Sequence, residues 1–368
     1  MDLAFTLALH RAVDPDPDND LCWSPYSVAS ALGLTATGAE GATRTELVTA
    51  LLGAADGDLG AHAALLTAAS ELDEWHRGEQ PVLVASNTLW AVEDLPIRRE
   101  FAGELARWPG GAVRGAPFTD APEDARKLIN TDVAETTRGL IPELIPPQAI
   151  LPDTVAALVN ALYLKAAWQH EFAEQETEDR PFRAPTGTYY TPTMRLTQRL
   201  GYAHERGWQV VTLPAAGGVE AVVLLPDAPL IEAEPALDAA ALSALVAAPS
   251  SVRIQLSLPK LSASTRASLK RPLVEMGVQG MFRRGEAGLT RLCPDPRLYV
   301  DDVLHESVLK IDEKGLEGAA ATAVTMRMMS MSAPSDPVVV DVDRPFLLVI
   351  RHRETGVPYF VARVVHPQ

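Results

Sequence analysis

The chain has 368 residues, 47% hydrophobic and 22% charged, with a formal net charge of −16. That is the composition of a globular protein with length for a large core, and its acidity argues against nucleic acid or anionic membrane as partners, because no dense Lys/Arg block offsets it. Two distant cysteines, Cys22 and Cys293, make no disulfide framework and fit a reducing compartment; Cys22, in "LCWS", reads as a small buried hydrophobe.

The opening "MDLAFTLALHRAVDPD" reads as an amphipathic helix stopped at Asp14-Pro15 rather than as a signal peptide, since no basic region precedes it and no cleavage site follows. Cytoplasmic residence is the default expectation, with a signal-independent route outward left open. No apolar run reaches transmembrane length. "SPYSVASALGLTATGAEG" carries a serine cap and a first-turn proline and ends at glycines. "GATRTELVTALLG" and "LGAHAALLTAASELDEWHR" continue with helical spacing.

"QPVLVASNTLWAVED" then reads as a strand buried on both faces. "PEDARKLINTDVAETTRGLIPEL" reads as a helix stopped at Gly139, and "TVAALVNALYLKAAWQ" as either a buried helix or a central strand. "TYYTPTMRL", "GYAHERGWQVVTLP", "VEAVVLLPD" and "SVRIQLSLPKL" are short strand-like runs, followed by an expected helix "STRASLKRPLVEMG". The close, "VVVDVDRPFLLVIRHRETGVPYFVARVV", reads as two strands joined at Glu354-Thr355-Gly356. Length alone suggests two or three domains, but no linker or repeat divides the chain. One α+β domain over residues 1–368 is expected.

Catalytic motifs are missing. There is no G-x-S-x-G, Walker A loop, G-x-G-x-x-G, H-E-x-x-H or paired C-x-x-C, and "HEFAE" at His170 lacks a second histidine. His305, in "VLHESVLKIDE", reads first as a hydrogen-bonded core group. An enzyme is not expected, and no cofactor or metal.

The stretch "IDEKGLEGAAATAVTMRMMSMSAPSDPVVV", residues 311–340, stands out. A loop of more than twenty residues inside a compact domain is functional or disordered, and this one lacks the polarity of disorder. A helix over "EGAAATAV" is one reading. Alternation gives another. Leu316, Gly318, Ala320, Thr322, Val324 and Met326 would share one side of an extended chain, with Glu317, Ala319, Ala321, Ala323, Thr325 and Arg327 on the other. Such a segment suits either a loop or a strand slotting into a sheet.

On these motifs the sequence resembles the serpin family, in its bacterial branch, over the whole chain. "IDEKGLEGAAATA" resembles the reactive-loop hinge, "DRPFLLVI" (Asp343, Arg344, Pro345, Phe346) the signature after the loop, and "SPYSVASAL" the start of the second helix. "INTDVAETTRGLI" resembles the helix lying over the main sheet, "LVNALYLKAAW" a central strand, and "LSLPKLS" a strand with a buried lysine. The order also matches. The resemblance implies three β-sheets, eight or nine helices, a monomer, and a hinge and reactive-centre loop over residues 313–337 offered to a serine protease. It implies a suicide mechanism in which the cut loop, still esterified to the protease, enters the main sheet as an extra strand.

The family pattern sets the scissile residue sixteen positions after the hinge glutamate. With Glu313 in that place the bond is Met329-Ser330, suited to chymotrypsin-, elastase- or subtilisin-like proteases, with Met328 or Arg327 as alternatives. The hinge comprises Glu313, Lys314, Gly315, Leu316, Gly318, Ala319, Ala320, Ala321 and Thr322. Ser24, Ser27, Asn160 and His305 match the shutter cluster under the sheet centre. Trp168, Lys260 and Glu313 match the breach, where the loop first enters.

Two positions depart from the pattern. Leu316 stands where Thr or Ser is usual and is expected to be the first residue buried on insertion. Ala362 stands for a glycine in the final strand. The small residues at 318–323 favour an inhibitor; Leu316 keeps a non-inhibitory binding or chaperone-like protein as the alternative.

Overall fold

The computed structural model describes residues 3–317 and 336–368. The first third is helical: α1 (Leu3–Val13), the short strand β1 (Leu21–Trp23), then α2 (Pro25–Gly38), α3 (Gly41–Leu52) and α4 (Leu59–Ala68). Ser24 caps α2 by accepting the Ser27 N–H, with Pro25 in the first turn. Almost every residue of α2 is buried. It is the central helix, and its lack of a polar face follows from being covered all round. The helix α4 stops at Ala68, so "ELDEWHR" is not helical as expected.

The middle of the chain runs β2 (Val82–Val92), α5 (Arg99–Leu105), β3 (Gly111–Ala116), α6 (Pro122–Thr136) and β4 (Ala156–Ala167). The ambiguous "TVAALVNALYLKAAWQ" is therefore a strand. Its β-branched and aromatic content and burial on both faces favour the sheet. Only the second half of β2 is fully buried. The helix α6 ends at Thr136, short of Gly139, and Arg138 already has a positive φ of 51°.

The second half runs β5 (Glu178–Ala184), β6 (Gly187–Glu205), β7 (Trp208–Pro214), β8 (Val219–Pro226), α7 (Leu230–Ala236), α8 (Ala239–Ala247), β9 (Ser250–Pro259), β10 (Leu261–Ser268), α9 (Lys270–Glu275), β11 (Asp302–Ile311), β12 (Gly315–Leu316), β13 (Val338–Asp341), β14 (Phe346–His352) and β15 (Pro358–Val364). "TYYTPTMRL" and "GYAHE" are one strand of 19 residues, β6. The expected helix "STRASLKRPLVEMG" is half strand, because Leu261–Ser268 pairs along its whole length with β11; only Lys270–Glu275 is helical. Tertiary pairing overrides local propensity there. The C-terminal segment makes three strands rather than two.

Hydrogen bonding joins the described strands into two networks. One has nine strands, ordered β1-β15-β14-β8-β7-β6-β9-β13, with β5 also on β6. Three sheets were expected; hydrogen bonding gives two networks among the described strands, because the long β6 pairs with β7 at one end and with β5 and β9 along the rest and so joins them. The other, the main sheet, has six strands ordered β10-β11-β12-β4-β2-β3. Nine α-helices stand among the described residues, within the expected range. The large core lies between α2 and the sheets. A second, smaller core packs Ala125, Ile129 and Val133 of α6 on Trp90, Ala157, Val159 and Ala161.

Candidate functional site

The main sheet is interrupted at its centre. Strands β11 and β4 pair in parallel only over Asp302–His305 and Ala157–Asn160. At the far end β12 stands between them, with Leu316 opposite Ile311 and Ala166, and Gly315 opposite Ala167. Between these points residues 161–165 of β4 have no ladder to β11. Among the described residues these five are left unpaired on that side, roughly 16 Å of strand edge, and α6 packs over this face of the sheet.

At the lower end of the interruption, His305, Asn160 and Asn87 form a row across three strands, in register. All three are fully buried. The Ser24 N–H donates to His305 Nε2 at 3.1 Å. Ser27 Oγ donates to Asn87 Oδ1 at 2.7 Å, and Asn160 Nδ2 reaches the same oxygen at 3.5 Å. Asn87 Nδ2 in turn donates to the Pro109 carbonyl at 2.8 Å. Ser24, Ser27, Asn160 and His305 are thus brought together, as the sequence suggested. Asn87 joins them, and sequence reading missed it. Its signal was an amide inside the apolar run "VASNTLWA", where a buried polar group demands a partner.

Because Nε2 of His305 accepts, the neutral ring carries its proton on Nδ1. That Nδ1 and Asn160 Oδ1 are both buried and have no hydrogen-bond partner among the described residues. The expected bland histidine is therefore only half satisfied. Burial pulls its pKa down to about 4, so it stays neutral at physiological pH.

At the upper end, the residues leading into β12 are held from several sides. Trp168 Nε1 donates to the Asp312 carbonyl, and the Trp168 N–H to that of Lys314, both at 2.9 Å. Lys260 Nζ and Glu313 Oε2 are 2.8 Å apart, and Thr177 Oγ1 donates to Glu313 Oε1 at 2.8 Å. Burial pushes the Glu313 carboxyl up, but the bonds from Lys260 and Thr177 outweigh it and hold the group below its usual value. Lys260, Trp168 and Glu313 meet as expected, and Thr177 is an addition no motif signalled. Asp312 Oδ1 accepts from the Lys314 and Gly315 N–H groups, closing a tight turn. A Cβ on Gly315 would stand 2.2 Å from the Ala166 carbonyl oxygen, so only glycine fits.

Leu316 does not behave as the sequence implied. It was expected to be buried first upon insertion; it is already fully buried, seated between β4 and β11. Its apolar side chain suits that seat better than a hydroxyl would. The extended alternation then breaks at once, since Glu317 has a positive φ of 58°. The other departure, Ala362, is buried opposite Cys22 and Leu348. Cys22 is buried as expected, its thiol pushed up to about 12 by burial. The remaining hinge positions (Gly318, Ala319, Ala320, Ala321, Thr322), the bond Met329-Ser330 and the alternatives Arg327 and Met328 lie outside the described residues.

Among the described residues no helix is long and apolar enough to cross a membrane, and no cluster of three His, Cys, Asp or Glu residues could hold a metal.

The main sheet is thus parted between β4 and β11, with β12 entering at one end. A family model described as "Serpin (serine protease inhibitor)" matches residues 1–367. The chain belongs to the serpin family. It is 28% identical to an uncharacterized serpin-like protein of Thermococcus kodakarensis over 99% of this chain and 84% of that one. It is 29% identical to the leukocyte elastase inhibitor of Sus scrofa over 99% and 97%. The native state of the thermophilic serpin Tengpin superposes with a TM-score of 0.85 at 24% identity, covering 99% of this chain and 92% of that one.

Proposed function

We propose that this protein is a suicide-substrate inhibitor of serine proteases, acting without a cofactor, as a monomer, and with no catalytic turnover of its own. The observation that carries the reading is the stretch of β4 that no other described strand pairs on its β11 side, below β12 at the top of the gap. A strand delivered there would satisfy backbone groups on both neighbours, a large gain in hydrogen bonds and buried surface.

In this reading the protease serine attacks the Met329 carbonyl. The C–N bond to Ser330 breaks, the Ser330 amine leaves with the proton passed on by the protease, and Met329 stays as an ester on the serine. Hydrolysis of that ester competes with insertion of the cut loop. If insertion is faster, the protease is dragged along and its site is distorted before water attacks. Ser24, Ser27, Asn160, His305 and Asn87 act as the shutter that steadies β4 against β11 and β2. Trp168, Lys260, Glu313 and Thr177 act as the breach. Methionine at the primary position supports chymotrypsin-, elastase- or subtilisin-like targets, as does similarity to a protein named for elastase inhibition.

The test is to mix the protein with chymotrypsin, run a denaturing gel and weigh the released C-terminal peptide. A complex surviving denaturant, with a peptide beginning at Ser330, is the expected result. Clean cleavage without a complex would convert the reading to a substrate-like, non-inhibitory serpin. A peptide beginning at Met328 or Met329 would move the bond to Arg327 or Met328.

A further inference from the structure

The protein is acidic, with 48 Asp and Glu against 32 Lys and Arg, so a surface of the opposite charge runs against its composition. One such surface lies on the nine-stranded network, where β6, β9 and β13 run side by side. Met194, Ile254, Leu256 and Val340 point into the core, so the residues that alternate with them face outward. Three rows cross that outer face in register. Arg199 stands opposite Arg253; Thr197, Gln255 and Val339 share the next row; Arg195, Ser257 and Asp341 share the third.

Arginine dominates the charge on this face. Asp341 is engaged by Arg180 of β5, which lies 3.1 Å from its Oδ1 and donates to Ser257 Oγ at 2.6 Å. Arg195 lies 3.7 Å from Glu178 Oε1. The exposed Arg199 guanidinium reaches a neutral acceptor, the Ser251 carbonyl, at 3.3 Å, and keeps its charge. Like charges directly opposite on a ladder work against the sheet, so a partner outside it is the natural reason to place Arg199 and Arg253 there. In the row beside them Val339 is 57% exposed. An exposed apolar side chain flanked by arginine rows has the make-up of a protein interface.

The position of the face says which protein. β13 runs parallel to β9 with Val338 opposite Ile254, which sets Pro337 at the level of Arg253. Pro337 lies eight positions past Met329 in the chain, so the bond proposed for cleavage is tethered at most about 29 Å from the arginine row. A protease domain, with a radius of gyration of about 17 Å, spans that distance. We propose that Arg199 and Arg253, with Val339 beside them, form a docking surface for an acidic patch on the target serine protease, engaged before the loop is cut. This rests on the inhibitor reading and adds a preference to it, for proteases whose surface beside the substrate cleft is acidic. Complementary charge steers such an encounter and suppresses wrong partners. A polyanion fits the face less well, because Asp341 and Glu178 interrupt the arginines and the whole chain carries −16.

The test uses chymotrypsin whose active-site serine has been converted to dehydroalanine, so that it binds the loop without cutting it, and whose lysines have been succinylated to make its surface acidic. Its Kd is measured for the wild-type chain and for Arg199→Glu/Arg253→Glu. Arg107→Glu/Arg271→Glu, at two exposed residues outside this sheet, is the control of equal charge change. At about 0.05 M salt the first variant should bind at least about tenfold more weakly than wild type, with the control within about twofold; at about 0.5 M salt the gap should close. Arg199→Gln/Arg253→Gln, which removes charge without reversing it, should fall between and guards against a folding defect. Equal affinity in wild type and both Arg199/Arg253 variants overturns the docking surface. An equal loss in the control also overturns it, since that is an effect of net charge. Unchanged protease affinity with loss of binding to a sulfated polysaccharide would assign the face to a polyanion and overturn it as well. Active chymotrypsin that is never trapped sinks the inhibitor reading instead, while the Kd values, which need no trapping, still decide the docking surface.

Discussion

Lys260 Nζ lies 2.8 Å from Glu313 Oε2, tying the corner between β9 and β10 to the residue that precedes the inserted hinge. The lysine side chain is about one-third exposed, while the glutamate is nearly enclosed. The pair is therefore asymmetric. Removing the lysine leaves a largely buried carboxylate with Thr177 as its remaining side-chain donor. Lys260→Met is expected to cost about 1–2 kcal/mol, less than a fully buried pair because water screens the lysine. Urea unfolding at pH 7.5 measures it. In a double-mutant cycle with Glu313→Gln, the second substitution should cost much less in the Lys260→Met background.

The same pair sets an acid limit. The Glu313 carboxyl is held below its usual value, so its contribution is present above the unfolded pKa and is lost as pH falls through the lowered one. Wild-type protein should lose this part of its stability below about pH 4.5. Lys260→Met should show a shallower acid loss in that window.

His305 acts in a higher window and with the same sign. Its folded pKa is near 4 and its free value 6.5, so the unfolded chain binds the extra proton between them. Stability is complete above pH 6.5 and falls by up to about 1.4 kcal/mol per pH unit down to pH 4 for this one group. His62, also pulled down to about 4 by burial, adds a parallel loss. Urea midpoints of wild type and His305→Gln, followed from pH 7.5 to 4.5, should converge as the pH drops. Parallel curves would mean that His305 does not titrate in this way.

Asn87, itself fully buried, accepts from the buried Ser27 hydroxyl and donates to the partly exposed Pro109 carbonyl. Asn87→Ala would orphan the buried Ser27 hydroxyl, at about 1–3 kcal/mol, while the Pro109 carbonyl keeps its bond from Ser30 Oγ. A thermal melt several degrees below wild type is expected. Ser27→Ala in the same background should then cost almost nothing further, which the combined variant checks by melting.

Leu316 and Ala320 separate docking from inhibition. Leu316→Ala removes a buried side chain from between β4 and β11, and about 2–4 kcal/mol of local stability goes with it. Faster exchange of the amides at 315–317 is the expected readout. Ala320→Arg should leave the loop cleavable by chymotrypsin but abolish the denaturant-resistant complex, because a charge cannot follow the hinge into the sheet. Full inhibition by Ala320→Arg would sink the insertion mechanism.

Much of the site was legible because its chemistry is local. Ser24 and Pro25 announce the start of α2 through capping and a fixed φ, and both are read from adjacent residues. The residues that motif reading assigned to the shutter and the breach lie, where described, in two small clusters. Other features were hidden by long-range pairing. "STRAS" carries no strand signal of its own and becomes one only because β11 lies alongside it. The two runs "TYYTPTMRL" and "GYAHE" were read apart across residues 197–200, which in fact carry β6 on without interruption by pairing with β9.

What the sequence determined by itself was composition, the capped first helices, the family motifs and the polar residues destined for the core. These depend on neighbours a few positions apart. Only the tertiary structure decided that Asn87 joins His305 and Asn160 and that Leu316 is already seated in the sheet. Each of those facts requires strands more than seventy residues apart in the chain to lie side by side. Register between distant strands is set by the packing of the whole core, which no local pattern encodes.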